Sequence, residues 1–316
     1  METFKISNQA GIAAEISATG ASVLSLTLPD SSGGFTDVVL AHREQDKYLS
    51  NPDCFGSIVG RNANRIRSAK FSLDGKTYLL EKNAGKHNIH GGSRGFTVRE
   101  FSLLKKTVNS VTLQNTIPDM EDGFPGTVFL AVTYTITERN ALSIEYNAHS
   151  SRKTILNLTN HTYFNLSGHA SGSLDTHLFR LNSGFYFPSD SSLIPTGELL
   201  SVHGTQFDFR KFAPLTEARY DNCFALNGSG FRKIADVREQ TSGRSMTVCT
   251  DLPAVQLYNA CNLMPGTPGK DGAVYNPGCG FCLETQYVPN AVNMPWLAQP
   301  VGTDFVSKTV FEFNMP

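Results

Sequence analysis

Apolar and polar side chains alternate with a period of two along most of this chain, and no other feature limits its possible folds as strongly. The longest example is TVFLAVTYTITERNALSIEYNAHS, residues 127–150. Its alternating apolar positions are Val128, Leu130, Val132, Tyr134 and Ile136 and, after a turn at residues 138–140, Leu142, Ile144 and Tyr146. Period two is the repeat of a half-buried β-strand, whereas an amphipathic helix repeats every ~3.6 residues. Sustained helical periodicity is hard to find, so the sequence predicts an all-β protein.

Turn signals separate the predicted strands. In KFSLDGKTYLL, residues 70–80, two short alternating runs meet at Asp74-Gly75, a dipeptide that supplies the positive φ angles of a two-residue hairpin. Further strands are predicted at residues 22–28, 36–40, 101–104, 110–116, 154–166, 176–182, 245–249, 254–259, 281–287 and 307–313. Residues 261–280, which are rich in proline and glycine, are predicted to form a long loop.

No linker-like stretch or sharp change of composition divides the 316 residues, so we expect a single domain spanning residues 1–316. So many strands in one domain imply stacked sheets or a sandwich with one concave polar face.

Charge and composition exclude several classes of protein. A net charge of −1 without a Lys/Arg cluster argues against nucleic-acid binding and against a polybasic membrane patch. No apolar run approaches the roughly 20 residues of a membrane span. The first residues, METFKISNQAGIAAEISATG, lack the basic and apolar regions of a secretory signal, and six scattered cysteines suit free thiols in a reducing compartment. We therefore expect a cytoplasmic protein, either a monomer or a homodimer.

A polar stretch, LNLTNHTYFNLSGH at residues 156–169, stands out in this apolar background. One face of the predicted strand would carry Asn157, Thr159, His161, Tyr163 and Asn165. Three interpretations stay open for these residues alone: a buried, mutually hydrogen-bonded network, glycosylation at the NLT, NHT and NLS sequons, or a sugar-binding site.

A second strand, in GFCLETQYVPNAVN at residues 280–293, places Cys282, Glu284 and Gln286 on one face. A carboxylate in an apolar strand is costly unless it is paired or used, and burial raises its pKa toward the range of a general base. Glu284 and His161 could together remove and deliver protons on two sides of a small substrate.

Two loops bring further polar groups next to glycines: GRNANRI at residues 60–66 and HNIHGGSRGF at residues 87–96. His87 and His90 have the H-x-x-H spacing of some metal sites, but no third ligand lies nearby, and we expect no metal. Gly91-Gly92 would let backbone approach a ligand beside His90. No Walker A loop and no GxGxxG motif follows a strand, so we expect no nucleotide cofactor.

Taken in order, these segments resemble the aldose 1-epimerase (galactose mutarotase) family. The matching motifs are GRNANRI, NIHGG with RGF, PDMEDGFPG, TNHTYFNLSG, IPTGE, FDFR, YDNCFAL, AVQLYN and GFCLETQYVPNAVN, and they span nearly the whole chain. The resemblance implies a large single-domain β-supersandwich and a cofactor-free interconversion of the α and β anomers of a free hexose such as galactose or glucose.

The resemblance also implies roles for individual residues. Glu284 is expected to be the general base and His161 the general acid. The expected substrate ligands are Asn64, Arg65, His90, Thr162, Tyr163, Asp221 and Gln256. After Gln256, the segment QLYNACN has what looks like one residue more than the family spacing, which leaves the contacts of that loop open.

Two alternatives remain at this stage. A non-catalytic carbohydrate-binding or sugar-sensing β-sandwich would use similar hydroxyl-binding residues but would need neither an acid nor a base. An epimerase for hexose phosphates would need a cationic cluster, for which the motifs offer only Arg61, Arg65 and Arg94.

Overall fold

Strands make up nearly all the regular structure of the computed structural model, which describes residues 1–30, 33–216 and 219–315. In chain order the strands are β1 (Thr3–Ser7), β2 (Ala13–Ser17), β3 (Val23–Pro29), β4 (Phe35–Asp37), β5 (Ile58–Val59), β6 (Arg65–Ile66), β7 (Lys70–Leu73), β8 (Lys76–Leu79), β9 (Asn88–Ile89), β10 (Ser102–Lys106), β11 (Ser110–Ile117), β12 (Val128–Ile136), β13 (Ala141–Ile155), β14 (Thr159–Asn160), β15 (His177–Leu181), β16 (Phe185–Phe187), β17 (Leu200–Ser201), β18 (Asp221–Ala225), β19 (Arg232–Glu239), β20 (Ser245–Thr250), β21 (Ala254–Tyr258), β22 (Thr267–Pro268), β23 (Val274–Tyr275), β24 (Cys282–Gln286) and β25 (Val301–Asn314). Short 3₁₀ helices span Gln45–Leu49, Arg67–Ala69, Phe96–Val98, Glu121–Gly123, Lys270–Gly272 and Ala291–Asn293. The predicted all-β class is confirmed.

Three antiparallel sheets form most of the molecule. An eight-stranded sheet has the order β10-β11-β12-β13-β25-β20-β19-β15, a four-stranded sheet the order β1-β2-β3-β4, and a five-stranded sheet the order β17-β16-β18-β21-β24. The alternating apolar residues of β12 and β13 are all buried in one core cluster, to which the other two sheets also contribute side chains. Each fully buried aliphatic or aromatic side chain contributes roughly 1.5–3 kcal/mol, so this shared core holds the three sheets together.

The register of the five-stranded sheet brings polar residues together. Gln256 of β21 lies directly opposite Glu284 of β24, and Tyr258 lies between Asp221 of β18 and Cys282 of β24. Directly opposed residues share a face of a sheet, as do residues two apart on one strand. All five side chains therefore belong to the same face, which is the polar face of this sheet.

The predicted hairpin at Asp74-Gly75 is confirmed: β7 and β8 pair around it, and both residues have positive φ angles of 50° and 77°. The loop predicted at residues 261–280 contains the two-residue strands β22 and β23. The prediction that residues 1–316 form one domain stays a prediction.

The continuous strand predicted at residues 154–166 is wrong. Strand β13 ends at Ile155, and only Thr159–Asn160 of the following segment forms a strand. The polar side chains bond to neighbouring loops instead of lining a regular ladder: Asn157 accepts a hydrogen bond from the Tyr287 amide, and Asn160 donates to the Gly56 carbonyl. The segment is a buried connection between sheets.

Other sequence-based exclusions concern membranes and metals. Across the described ranges, no helix is long and apolar enough to cross a membrane. The same ranges contain no group of three or more His, Cys, Asp or Glu side chains that could hold a metal ion. All six cysteines are free thiols.

Candidate active site

The polar face of the five-stranded sheet borders a cavity of about 610 Å³. Three strands each contribute one lining residue: Asp221 from β18, Tyr258 from β21 and Glu284 from β24. The other walls come from residues 49–54, from residues 89–98 and from the segment after β14. The volume is in the range of about 300–1,000 Å³ that is typical of small-molecule sites.

Glu284, the predicted base, is 2% exposed and lies at the centre of β24. Its Oε2 atom has no hydrogen-bond partner among the described residues. Burial, and then the nearby charge of Asp221, raise the pKa of Glu284 well above its ordinary value, while Arg65 opposes this shift. A carboxylate that is buried without a donor retains strong basicity, which is the property that a general base needs.

His161, the predicted acid, follows β14 and is also buried. Its Nε2 atom lies 3.7 Å from Glu284 Oε1, which is beyond hydrogen-bond distance. Burial lowers the pKa of His161 to about 4. The pair has two forms that differ only in the position of one proton: Glu284 holds it in the uncharged pair, and His161 holds it in the ionic pair. Both pKa shifts favour the uncharged pair.

Aromatic rings fix the orientation of the His161 imidazole. Its ring stacks on Tyr163 with the centroids 4.9 Å apart, and His90 and Tyr258 contact it edge-on at 5.5 Å and 5.9 Å. Tyr163 is held in turn because its hydroxyl donates to the Asp53 carbonyl at 2.8 Å. The imidazole therefore presents its edge, rather than its face, toward Glu284.

Asn64, Arg65 and His90 come together where β6 pairs with β9. Asn64 and His90 both adopt left-handed conformations, with φ angles of 61° and 53°. The Asn64 amide donates to His90 Nδ1 at 3.3 Å, so the remaining proton of a neutral His90 lies on Nε2. Arg65 is the cation of this group, and all three residues line the cavity.

Asp221 and Gln256 act as a pair. Gln256 donates from Nε2 to Asp221 Oδ1 at 2.7 Å, and burial raises the pKa of Asp221 despite this bond. Asp221 lines the cavity, whereas Gln256 lies behind it. The contact supports Gln256 as the residue that orients Asp221.

Thr162 and Gly91 have different surroundings from those expected. Thr162 does not line the cavity, and both its amide and its hydroxyl donate to the Asn160 side chain. A Cβ atom at Gly91 would lie 2.2 Å from the Gly60 carbonyl oxygen, so this glycine lets two backbone segments pack together. Its surroundings explain the glycine without a ligand.

The arginines next to the motifs differ in their availability. Arg61 is 1% exposed, and its guanidinium donates to the carbonyls of Ile117, Pro118, Pro125 and Gly126. Arg94 lies at the surface and pairs with Glu121 and Asp122. Of the three arginines considered for a phosphate, Arg65 is the one that lines the cavity.

The two histidines of the H-x-x-H spacing are held at Nδ1 by different backbone amides. His87 Nδ1 accepts a hydrogen bond from the Ser68 amide at 3.0 Å, while His90 Nδ1 accepts from Asn64. Each ring is therefore oriented by its own backbone contact.

Sequence reasoning missed several residues of the cavity. Residues 49–54 form a wall without any recognisable motif, and Asn262 comes from the loop whose contacts were open. Tyr258 belongs to the recognised AVQLYN motif, so this cavity residue had a signal in the sequence. Cys282 shares a face with Glu284 but does not itself line the cavity. Cys282 Sγ lies 3.5 Å from His161 Nδ1.

Comparisons with known proteins point to one family. The family model described as aldose 1-epimerase matches residues 2–310. Human galactose mutarotase is 39% identical over 314 residues, covering 95% of this chain and 91% of its own length. Aldose 1-epimerase of Escherichia coli K12 is 32% identical over 324 residues, covering 97% and 93%.

Solved structures show the same architecture. A GalM/aldose epimerase homologue from C. elegans superposes with a TM-score of 0.94 at 29% identity and covers 99% of both chains. Galactose 1-epimerase from Lactobacillus acidophilus has a TM-score of 0.84 at 25% identity, covering 99% of this chain and 94% of its own. These likenesses confirm the predicted galactose mutarotase-like β-sandwich fold. The chain belongs to the aldose 1-epimerase family and is an isomerase of that class.

Proposed function

We propose that the protein interconverts the α and β anomers of a free hexose, with Glu284 as general base and His161 as general acid. The observation that carries this proposal is the placement of His161 Nε2 3.7 Å from Glu284 Oε1, with both groups buried at one cavity. Two opposed proton-transfer groups at this separation suit a substrate whose reacting oxygens are both bonded to one carbon.

The reaction begins from the ionic pair. Glu284 accepts the proton of the anomeric hydroxyl, the C1–O5 bond breaks, and His161 donates its Nε2 proton to the ring oxygen. These transfers produce the open-chain aldehyde and leave Glu284 protonated and His161 neutral. Rotation about C1–C2 turns the other face of the carbonyl toward O5, and the reverse proton transfers close the ring as the other anomer.

Burial and the charge of Arg65 act in opposite directions on the two proton states of the pair. Burial favours the uncharged pair, which is the state reached after ring opening, whereas Arg65 favours ionised Glu284. Arg65 thus offsets part of the effect of burial and favours the ionic pair from which the reaction starts. General acid and general base groups each contribute typically ~10²–10⁴-fold in rate.

We propose Asn64, Arg65, His90, Tyr163 and Asp221 as the residues that contact the sugar, and Gln256 as a support for Asp221. Galactose and glucose are the proposed substrates, and the names of the mutarotase relatives support galactose. The cavity offers Arg65 and His90 as donors and Asp221 as an acceptor, which suits the paired donor and acceptor capacity of sugar hydroxyls.

The two alternatives have less support. A lectin has no need for a buried carboxylate without a donor, because such a group only costs stability. A hexose-phosphate epimerase would need further free cations, and the described contacts of Arg61 and Arg94 already engage both side chains.

Polarimetry on freshly dissolved α-D-galactose and α-D-glucose tests the function. The expected result is equilibration faster than in buffer, with the acceleration abolished in Glu284→Gln. The matched control is Glu145→Gln, which changes a half-exposed glutamate of β13 that pairs with Lys308 and does not line the cavity. Equal mutarotation rates with and without the protein, across several aldoses, would contradict the proposal.

We further propose that the chain works in the cytoplasm as a monomer or a homodimer. Six free cysteines support a reducing compartment, where such thiols persist. Fluorescence localisation in the source cells and light scattering on the purified protein decide these two points.

A further inference from the structure

Two imidazoles border the cavity, and each is contacted at Nδ1 by a different chemical group. His90 Nδ1 accepts from the backbone amide of Asn64 at 3.3 Å. His161 Nδ1 faces the thiol of Cys282 at 3.5 Å. The difference decides which protonation states each ring can adopt.

A backbone amide can only donate. His90 therefore keeps an unprotonated Nδ1 as long as the Asn64 contact persists, and protonation of that nitrogen would break the bond. Burial, with the nearby His161 and Arg65, lowers the pKa of His90 in the same direction. His90 is thus held as a neutral ring whose Nε2–H can donate to a sugar oxygen.

A thiol can both donate and accept. Cys282 is fully buried, and burial followed by the charge of Glu284 raises its pKa well above the ordinary value, so the group remains an S–H. Its sulfur can accept from Nδ1–H when His161 is a cation, and again when the ring has become neutral by losing its Nε2 proton. The contact is compatible with both proton states of the ring.

Cys282 and Glu284 lie at different nitrogens of the His161 ring, the thiol at Nδ1 and the carboxylate nearest Nε2. The ring also bonds to the His161 backbone, which favours the protonated form against the effect of burial on its pKa. The other titratable or charged groups around the ring are Glu284, His90, Tyr163, Tyr258, Arg65 and Asp221. Glu284 faces Nε2, and the three neighbouring rings contact the imidazole through their faces or edges.

We propose that Cys282 is a positioning residue for the epimerase reaction: its sulfur accepts from His161 Nδ1–H in both proton states of the cycle and so leaves Nε2 as the nitrogen that exchanges protons, while the Asn64 backbone amide keeps His90 neutral. Of the two cavity imidazoles, His161 alone then exchanges a proton with the sugar. This inference rests on the proposed function and extends it to a residue outside the acid/base pair.

Variants at Cys282 test the inference by steady-state mutarotation kinetics. Cys282→Ala should lower kcat about 3- to 10-fold, the range expected for one neutral hydrogen bond, with little change in KM. Cys282→Ser, which keeps a group that donates and accepts, should restore kcat to within about twofold of wild type. Cys279→Ala removes another buried thiol of the same hydrophobic cluster and should leave kcat unchanged.

A readout independent of turnover is the pH titration of histidine ¹⁵N signals. His90 should stay in the Nε2–H form through the ordinary titration range of histidine in all variants, because burial lowers its pKa well below that range. In Cys282→Ala, His161 should gain its proton at lower pH than in wild type, because the imidazolium loses its acceptor and charged hydrogen bonds are the stronger ones. The acid limb of kcat should move the same way.

Wild-type kcat and wild-type ¹⁵N titration in Cys282→Ala would overturn the inference. So would equal losses in the Ala and Ser variants, since these indicate packing of the sulfur. Undiminished activity in Glu284→Gln would instead contradict the proposed function, and the ¹⁵N titration would still report on the Cys282 contact.

Discussion

Gln256 and Glu284 lie directly opposite each other on neighbouring antiparallel strands, yet the Gln256 amide donates to Asp221, and Oε2 of Glu284 has no donor within residues 1–30, 33–216 and 219–315. The strand pairing therefore places Gln256, a potential hydrogen-bond donor, next to the Glu284 carboxylate, but the Gln256 amide bonds to Asp221 instead. An amide bond to Glu284 would stabilise the ionised form and lower its pKa. The arrangement keeps Glu284 basic and orients Asp221 with the same side chain.

This relationship predicts a specific effect of Gln256→Leu. Removing the donor to the Asp221 carboxylate should raise KM about 10-fold, the lower part of the range for a hydrogen bond to a charged group. The kcat value should change less than about threefold, because Glu284 and His161 are untouched. Mutarotation kinetics over a range of galactose concentrations measure both. A large fall in kcat at unchanged KM would show that Gln256 acts on Glu284 instead.

The Glu284→Gln variant should be more stable than wild type at alkaline pH. A folded-state pKa raised above the unfolded value means that stability falls as pH rises from about 4.5 through the raised value. A neutral side chain of the same shape avoids this loss, so the variant should gain roughly 1–3 kcal/mol at pH 8. Urea unfolding at pH 8 and pH 4.5 measures the difference, which should shrink at the lower pH. Lower stability of the variant at pH 8 would contradict the burial argument.

The pH dependence of kcat/KM should show an acid limb near pH 4. Below the depressed pKa of His161, about 4, both members of the pair hold a proton and the base is lost. Above it, one shared proton keeps the pair competent until the raised pKa of Glu284 is passed. The measurement requires subtraction of the uncatalysed rate at each pH. An acid limb near pH 6.5, the ordinary value for histidine, would show that the imidazole is not desolvated in the active enzyme.

The Thr162→Val variant tests whether Thr162 binds the substrate or only stabilises the fold. Because the Thr162 hydroxyl donates to Asn160 and does not line the cavity, the variant should lose about 1 kcal/mol of unfolding free energy with KM unchanged. Tyr163→Phe, which removes the neighbouring bond to the Asp53 carbonyl, serves as a comparison at the cavity wall. A several-fold rise in KM for Thr162→Val would restore the residue to the list of substrate ligands.

The sequence predicts a strand well where only one face of that strand is buried. Strands β11, β12 and β13 were predicted closely because one face of each is buried, which produces clean alternation. Strand β19 went unpredicted: its residues Ile234–Val237 are buried without interruption and its pattern does not alternate. In residues 156–166 a strand was predicted where most of the segment has none. Polar residues at every second position gave the pattern of a strand, although their hydrogen-bond partners lie in loops.

The sequence pointed to Glu284 and His161, but not to all the residues around them. Glu284 stood out because a carboxylate in an apolar strand is costly unless it is paired or used, and His161 because it lies in an unusually polar segment. The contact between Cys282 and His161 joins residues 121 positions apart, and its chemistry depends on which ring nitrogen faces the sulfur. The wall at residues 49–54 has no chemical signature, because its role comes only from its position.

The wall formed by residues 49–54 is separate from the groups that carry out proton transfer, so it affects which substrates the cavity accepts rather than the reaction itself. The proton-transfer groups sit on or beside the sheet, whereas residues 49–54 form one irregular segment that Asn51 anchors to His42, Phe55 and Ser57. Replacing the exposed members of this segment while keeping Asn51 would alter the width of the entrance and spare the catalytic pair. The wall at residues 49–54 is thus a segment that protein engineers can replace to change the range of substrates while the reaction is retained.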